Sequence, residues 1–387
     1  MKKRAFKFLK RMLAVIGTLL VVICIIVALF VNLSPEFGGT PSKEQKEKFT
    51  ASSNYKKGTF INLGDVKMNM SFSNFTKMLK LYFSPQPNTI PKKNITVQKI
   101  DSVAIAEYKD QTRLVWFGHS TFLLQMNNKN ILIDPMFGKV PAPHPMLGNN
   151  RFSKELPIEI EKLPKIDAVI LSHDHYDHLD YGSIKKLKGK VTHFYTPLGV
   201  GAHLQAWGVS KENITELDWW QENTLNDLKL VCTPAQHFSG RGINDRGTTL
   251  WSSWVIQSTT ENIFFSGDSG YGSHFKDIGD KYGPFDIGLL ECGQYNELWS
   301  EIHMMPEETA QAGVDIKAEI IMPIHWGAFK LAMHSWTDPV ERILNKANEL
   351  KINTIVPKIG EPIFLDKNPI EFSLVEKSIV SKLEFST

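Results

Sequence analysis

The run Ala168-Val169-Ile170-Leu171-Ser172-His173-Asp174-His175-Tyr176-Asp177-His178 decides how the rest of this 387-residue chain is read. Its last six positions hold three imidazoles and two carboxylates, directly after an apolar stretch that reads as a buried strand. Imidazole nitrogen and carboxylate oxygen are the donors that zinc takes at about 2.0–2.2 Å. Residues two apart face different ways on a helix but share a side in extended backbone. His173 and His175 therefore meet one ion only if this segment is a loop leaving the strand. Asp177 and His178 then turn toward a second ion as the loop continues.

One motif does not close a site, and three later segments supply the remainder. His237 in Thr233-Pro234-Ala235-Gln236-His237, Asp268 in Phe264-Phe265-Ser266-Gly267-Asp268 and His325 in Met322-Pro323-Ile324-His325 each follow a buried-strand pattern. Loops from adjacent strand ends converge in layered α/β domains, so these residues are candidates for the same centre. Taken singly each has a plainer reading: a histidine after a strand is often a core residue, and Asp in Gly-Asp-Ser is often a turn former.

Around these residues the pattern is of short apolar strands with helices between them. Strands are expected at Leu114–Phe117, Thr121–Met126, Ile131–Ile133, Leu228–Cys232, Trp251–Ile256, Ile263–Phe265, Ile287–Leu290 and Ile320–Met322, with Asn127 to Asn130 as a hairpin turn. Helices are expected at Gly199–Trp207, Pro306–Lys317 and Pro339–Leu350, the two prolines suiting first turns. No internal repeat is visible in the sequence. The fold class is α/β.

These segments resemble the metallo-β-lactamase-fold hydrolases, whose hallmark is HxHxDH followed by a downstream His, Asp and His. More narrowly the chain is similar to the N-acylphosphatidylethanolamine-hydrolysing phospholipase D family. The likeness runs from about Thr112 to Asp338 through Trp116-Phe117-Gly118-His119-Ser120-Thr121, Gly267-Asp268-Ser269-Gly270-Tyr271, Gly283-Pro284-Phe285-Asp286, Pro306-Glu307-Glu308 and Ile324-His325-Trp326-Gly327. The resemblance implies an αββα sandwich with two zinc ions, or another divalent metal, at one edge. It places His173, His175 and His237 on the first ion, Asp177, His178 and His325 on the second, and Asp268 between them. It also implies hydroxide as nucleophile, with Asp177 and Asp268 in catalytic roles and His303 near a substrate phosphate. His303 has a plain alternative as a polar residue leading into a helix, and His119 is either a partner of a ligand or a core histidine. His144, His193, His203, His274 and His334 read as structural or exposed.

The N-terminus has a different composition. Lys2, Lys3, Arg4, Lys7, Lys10 and Arg11 precede Met12–Leu33, a charge-free run that is long enough to span hydrocarbon. No small-x-small cleavage site follows it, so an uncleaved anchor is expected, with Met1 to Arg11 cytoplasmic and the body beyond the membrane. The expected division is 1–33 as tail and transmembrane helix, 34–100 as linker and arm, and 101–387 as the catalytic domain. Within the arm, a helix is expected near Phe75 to Phe83, ended by breakers from Ser84 to Pro87. Whether Cys232 and Cys292 pair is not legible.

Of the net charge of +3, the first eleven residues carry more than the whole, which leaves the body mildly acidic. Such a body lacks the basic footprint of a nucleic-acid enzyme. Gly118-His119-Ser120-Thr121-Phe122 misses the last glycine of a nucleophile elbow, and no Walker loop or GxGxxG occurs. The expected activity is that of a membrane-anchored dinuclear zinc phosphodiesterase of phospholipase D type. Its partners would be the bilayer and a phospholipid substrate, with Trp219-Trp220 as candidate lipid contacts and room for a homodimer. The alternatives are a lactonase-like enzyme or small-molecule phosphodiesterase on the same scaffold, and a non-catalytic metal-binding surface module.

Overall fold

Strict alternation of inward and outward side chains along each strand, set by the two-residue period of the β-conformation, builds this molecule in layers. The computed structural model describes residues 2–66, 72–84 and 86–365. Residues 366–387 of the expected catalytic domain, Met1 of the expected tail and Pro85 of the expected breaker lie outside the described residues.

The chain begins with α1 (Lys2–Leu33), α2 (Lys43–Phe49), the short pair β1 (Tyr55–Lys56) and β2 (Thr59–Phe60), α3 (Phe72–Phe83) and α4 (Ser102–Ala106). The first sheet is laid down by β3 (Thr112–Trp116), β4 (Phe122–Met126), β5 (Lys129–Ile133), β6 (Ile166–Ile170), β7 (Val191–Pro197) and β8 (Ile214–Leu217), with α5 (Tyr181–Leu187) and α6 (Gly201–Ala206) between them. The second follows with β9 (Glu222–Leu225), β10 (Leu228–Thr233), β11 (Ser253–Gln257), β12 (Asn262–Phe265), β13 (Phe285–Glu291), β14 (Ala318–Ile324) and β15 (Asn353–Thr354), interleaved with α7 (His274–Tyr282), α8 (Pro306–Asp315) and α9 (Asp338–Leu350). Last, β16 (Pro362–Leu365) returns to the first sheet beside β3.

The orders are β16-β3-β4-β5-β6-β7-β8 and β9-β10-β11-β12-β13-β14-β15. Both sheets pair antiparallel up to their fourth strand and parallel from there on. One architecture is thus built twice from sequences that share no visible repeat. Two antiparallel steps restore strand direction, so β3, β5 and β6 of one sheet, and β10, β12, β13 and β14 of the other, each end at a common edge.

Leu114, Leu124, Ile133, Ile170, Leu230, Trp254, Phe265 and Leu289 meet between the sheets. Their neighbours along the strands point outward: Val115, Leu123, Val169 and Phe194 pack with Ile184 and Leu187 of α5 and with Leu204. On the other side Val255, Phe264 and Ile321 pack with Phe275, Ile316 and Ile343. This is the αββα sandwich that the resemblance implies. Asn127 and Asn128 alone make the hairpin turn, at φ 50° and 59°, which frees Lys129 and Asn130 to pair with β4. The cysteines of the body stay as free thiols, Cys232 between the sheets and Cys292 on an outer face. Trp219 is a core residue whose Nε1–H donates to the Trp251 carbonyl at 2.6 Å, so it is not available to lipid.

The segment after α1 does not stand off as a linker. Ser42 and Gln45 form a reciprocal capping box that starts α2, and Phe49 at its end is buried against Tyr55 and Phe60 in the inter-sheet core. By contrast the side chains of α1 are exposed along almost its whole length, and it is long and apolar enough to cross a membrane.

Trp254 joins the core to the edge that matters: its ring fills the inter-sheet space and its Nε1–H donates to the Leu171 carbonyl at 2.9 Å, two residues before His173. Trp254→Ala is expected to destabilise the fold by about 3–5 kcal/mol, read as a lower denaturant midpoint with an unchanged slope.

Candidate metal centre

Each candidate residue sits just past the end of a strand, where backbone leaves its ladder and side chains are free to converge. His173 to His178 follow β6, His237 follows β10, Asp268 follows β12 and His325 follows β14. The structure brings all of them together into two groups of ligand atoms. His173, His175, His237 and Asp268 form one, with every atom within 4.8 Å of the others. Asp177, His178 and His325 form the second, joined by His119, under the same limit. Asp268 faces both: its Oδ2 lies 3.8 Å from His173 Nε2 and 3.7 Å from His237 Nε2, while its Oδ1 lies 3.1 Å from His178 Nε2 and 2.9 Å from His325 Nδ1.

The hydrogen bonds around these rings fix which nitrogen faces inward. Ser172 donates its hydroxyl to Asp134, so its oxygen accepts from His173 Nδ1–H at 2.9 Å. His178 Nδ1–H donates to Asp134 Oδ2 at 2.7 Å, and His237 Nδ1–H to the Ile302 carbonyl at 3.0 Å. In each ring Nε2 is left with its lone pair aimed at the centre, as metal-binding imidazoles require. His173 Nε2 faces His175 Nδ1 at 2.9 Å, and His237 Nε2 faces the same atom at 3.2 Å. With His175 in the tautomer that leaves Nδ1 unprotonated, these three nitrogens form a donor set for one cation. Among the described residues, His178 Nε2 and Asp268 Oδ1 are buried with no hydrogen-bond partner, which a shared cation would supply. The residues therefore fit divalent metal.

Electrostatics agree. Burial holds His173 and His237 far below the ordinary imidazole pKa and lowers His175 and His325 as well, keeping them in the neutral form that donates to metal. Burial would lower His178 too, but Asp268 and Asp177 outweigh it and push His178 well up. Burial likewise disfavours charge on Asp268, yet His178 and His325 hold its carboxyl well below the usual range. Positive charge is thus favoured where the two groups meet.

The centre floors a cleft of about 280 Å³ walled by Phe238, Trp299, Ile302 and Leu331. His303 lies in the wall, its ring 5.0 Å from that of His237 and 5.3 Å from that of His325. Its Nδ1–H donates to Glu291 Oε1 at 2.7 Å. Burial alone would lower the His303 pKa; the Glu291 carboxylate more than offsets it and raises it.

Sequence reasoning missed three supports of this site, Asp134, Glu291 and Asn62, and left a fourth, His119, open between two readings. Asp134, fully buried, receives Ser172 N–H and His178, and it follows Ile131-Leu132-Ile133 in the same way that Asp268 follows its strand. Glu291 ends β13 by that rule as well. His119 lies under the second group and donates Nε2–H to Asp177 Oδ2 at 2.8 Å, which settles its role as a partner of a candidate ligand. Its loop is tied to that of His325 by two backbone bonds, His325 N–H to His119 O and His119 N–H to Trp326 O. Asn62 comes from the N-terminal arm: its Nδ2–H donates to His237 O at 2.8 Å and its Oδ1 accepts His237 N–H at 3.0 Å. Of the remaining histidines, His193 bonds Thr215, His274 meets Ser269, His334 stacks on Tyr295 and His203 bridges Gly39 and Asp174, all structural contacts.

Loss of the carboxylate that orients His178 is expected to cost metal affinity. Asp134→Asn should weaken binding about 10–100-fold, measured by competition with a chromophoric chelator, and Asn62→Ala should move it the same way by less.

A family model described as "Beta-lactamase superfamily domain" matches residues 129–326. An uncharacterized protein of Mycobacterium tuberculosis is 39% identical over 325 residues, which cover 81% of this chain and 84% of that one. N-acyl-phosphatidylethanolamine-hydrolyzing phospholipase D 1 of Caenorhabditis elegans is 27% identical over 285 residues, covering 70% of this chain and 78% of the relative. Among solved structures, an isothiocyanate hydrolase from Delia radicum gut bacteria shares the fold, with a TM-score of 0.52 at 24% identity over 65% of this chain and 98% of that one. With two imidazole and carboxylate groups meeting at Asp268 on this scaffold, the chain belongs to the beta-lactamase superfamily and is a metal-dependent hydrolase of its metallo-β-lactamase branch.

Proposed function

We propose that this protein is a membrane-anchored phosphodiesterase that cleaves N-acylphosphatidylethanolamine-like phospholipids between phosphate and headgroup. The observation that carries the reading is Asp268 facing two donor groups at the floor of a cleft whose walls are apolar. Such walls suit a substrate with acyl or glycerol carbon beside its phosphate. The name of the Caenorhabditis elegans relative supports the same substrate class. In this reading His173, His175 and His237 would hold one zinc or other divalent ion and Asp177, His178 and His325 a second, with the Asp268 carboxylate facing both groups. When bound, two such ions polarise a phosphoryl oxygen and make water acidic enough to attack at neutral pH.

The chain's own groups divide the remaining work. Asp177, fixed by His119, accepts a hydrogen bond from the attacking water and orients it. Its carboxyl is held well below the ordinary range, against the effect of burial, by His178 and His119, so it is a poor resting place for the proton. His303, whose pKa the Glu291 carboxylate raises against the effect of burial, faces the cleft and gives a proton to the departing alkoxide. Phe238, Trp299 and Leu331 exclude water from the flanks.

In this function α1 is a single membrane span. Its apolar part, Met12–Leu33, is about 33 Å long at 1.5 Å per residue. The cations before it favour a cytoplasmic N-terminus and an extracytoplasmic body.

A lipid panel tests the activity. Metal-loaded wild type should release phosphatidic acid from N-acylphosphatidylethanolamine vesicles, and Asp268→Ala should bind less metal and release none. A metal-loaded wild type that yields no phosphatidic acid while opening lactones would overturn the assignment. His303→Ala should lower kcat by about 10²–10⁴-fold. Glu291→Gln leaves burial as the main influence on His303 and so lowers its pKa. The protonated acid is then lost at lower pH, and the alkaline limb of the kcat/KM profile should shift downward; an unmoved limb would remove His303 from the acid role.

A further inference from the structure

The residues that follow α1 are fastened to the metal-binding loop itself. Trp207 Nε1–H donates to Pro35 O at 2.7 Å, and the Arg241 guanidinium donates twice to Glu36 O, at 2.9 and 2.6 Å. The other arm of Arg241 donates to the carbonyls of Asp174 and Leu179, at the two ends of the histidine-rich loop. Gly39 N–H donates to His203 Nδ1 at 3.1 Å, and His203 Nε2–H donates onward to Asp174 at 3.3 Å. A side chain at Gly38 or Gly39 would collide with His203 or with the Ala202 carbonyl, at 2.2 and 2.4 Å. The end of the apolar helix is therefore held at a fixed place beside the catalytic loop.

That place carries exposed apolar side chains. Phe30, in the last turn of α1, lies 5.4 Å from Phe37 and 6.1 Å from His144, ring to ring. Phe37 in turn lies 6.3 Å from Tyr176 of the metal loop. His144 Nδ1 accepts Met146 N–H and so shapes a turn that presents Met146 and Leu147, which are 87% and 64% exposed. Two residues past Arg241, which holds Glu36, the chain that leaves the cleft at His237 and Phe238 presents Ile243, 72% exposed. A helix that spans a bilayer puts its last apolar turn at the lipid surface, and here that turn touches the loop that bears Met146 and Leu147.

We infer that Met146, Leu147 and Ile243 form a docking surface for the lipid leaflet in which α1 ends, and that the cleft takes its substrate laterally from that leaflet. The inference rests on the proposed reading of α1 as a span and of the cleft as a lipid hydrolase site. Phe30 against His144 fixes the depth, and the Arg241 contacts fix the orientation. The occupant is phospholipid acyl chain, since only a bilayer is brought to this surface by the helix beside it.

The test uses the full chain in vesicles of phosphatidylcholine and phosphatidylethanolamine, in a Cys24→Ser background with Cys232 and Cys292 buried. Bimane placed at Met146→Cys or Ile243→Cys should be quenched several-fold more by dibrominated phosphatidylcholine than bimane at Glu349→Cys on α9. Equal quenching at all three sites would overturn the docking surface. Separately, the triple variant Met146→Asp, Leu147→Asp, Ile243→Asp should lose about tenfold or more in hydrolysis of vesicle lipid, because each loses apolar burial. Its rate on a water-soluble short-chain phosphodiester should stay unchanged. An unchanged rate on vesicles would overturn lateral entry. Selective quenching in a wild type that hydrolyses no lipid would uphold the docking surface while removing the proposed substrate.

Discussion

A carboxylate that is only 3% exposed stays ionised in a protein interior when positive or hydrogen-bonding partners face it, and Asp268 has imidazoles on two sides. Everything else at the site serves to keep those rings in place against their mutual repulsion. Left to themselves, closely packed imidazoles would rotate or flip; here Nδ1 of His173, His178 and His237 is committed to Ser172, Asp134 and the Ile302 carbonyl. The partners are as buried as the rings, so each bond is made in a medium where losing it is costly. That is why the centre needs a sandwich. Two sheets whose parallel strands end at one edge deliver loops from both sides, and the core between them holds those ends rigid.

The same logic extends outward to the N-terminal segment. Asn62 clamps the backbone of His237, Arg241 ties Glu36 to both ends of the histidine-rich loop, and His203 connects Gly39 to Asp174. Residues 34–62 therefore act as scaffold for the centre as well as connection to α1. A hydrolase built this way cannot shed its arm without loosening the histidine-rich loop.

How far the sequence can be read follows from what each residue depends on. His173, His175, Asp177 and His178 declare themselves because they are dense and follow an apolar run, and His237, Asp268 and His325 because each follows another. Asp134 and Glu291 obey the same strand-then-carboxylate rule and could have been found by applying it to every strand. Asn62 could not, since one asparagine 175 residues from its partner carries no local signal. Among strands, β7 escaped because Thr192 and His193 interrupt its apolar pattern where it nears the sheet's surface, and β9 because it is a half-exposed edge. The doubled sheet topology is invisible in sequence for a related reason: pairing order depends on which strands meet, and many different apolar runs satisfy it.

The account turns on two metal ions meeting at Asp268, and anomalous diffraction from the zinc-loaded protein measures that directly. Two zinc peaks are expected, one among His173, His175 and His237, the other among Asp177, His178 and His325, with Asp268 in contact with both. A single peak that leaves one of these groups empty, or peaks away from Asp268 altogether, would contradict it.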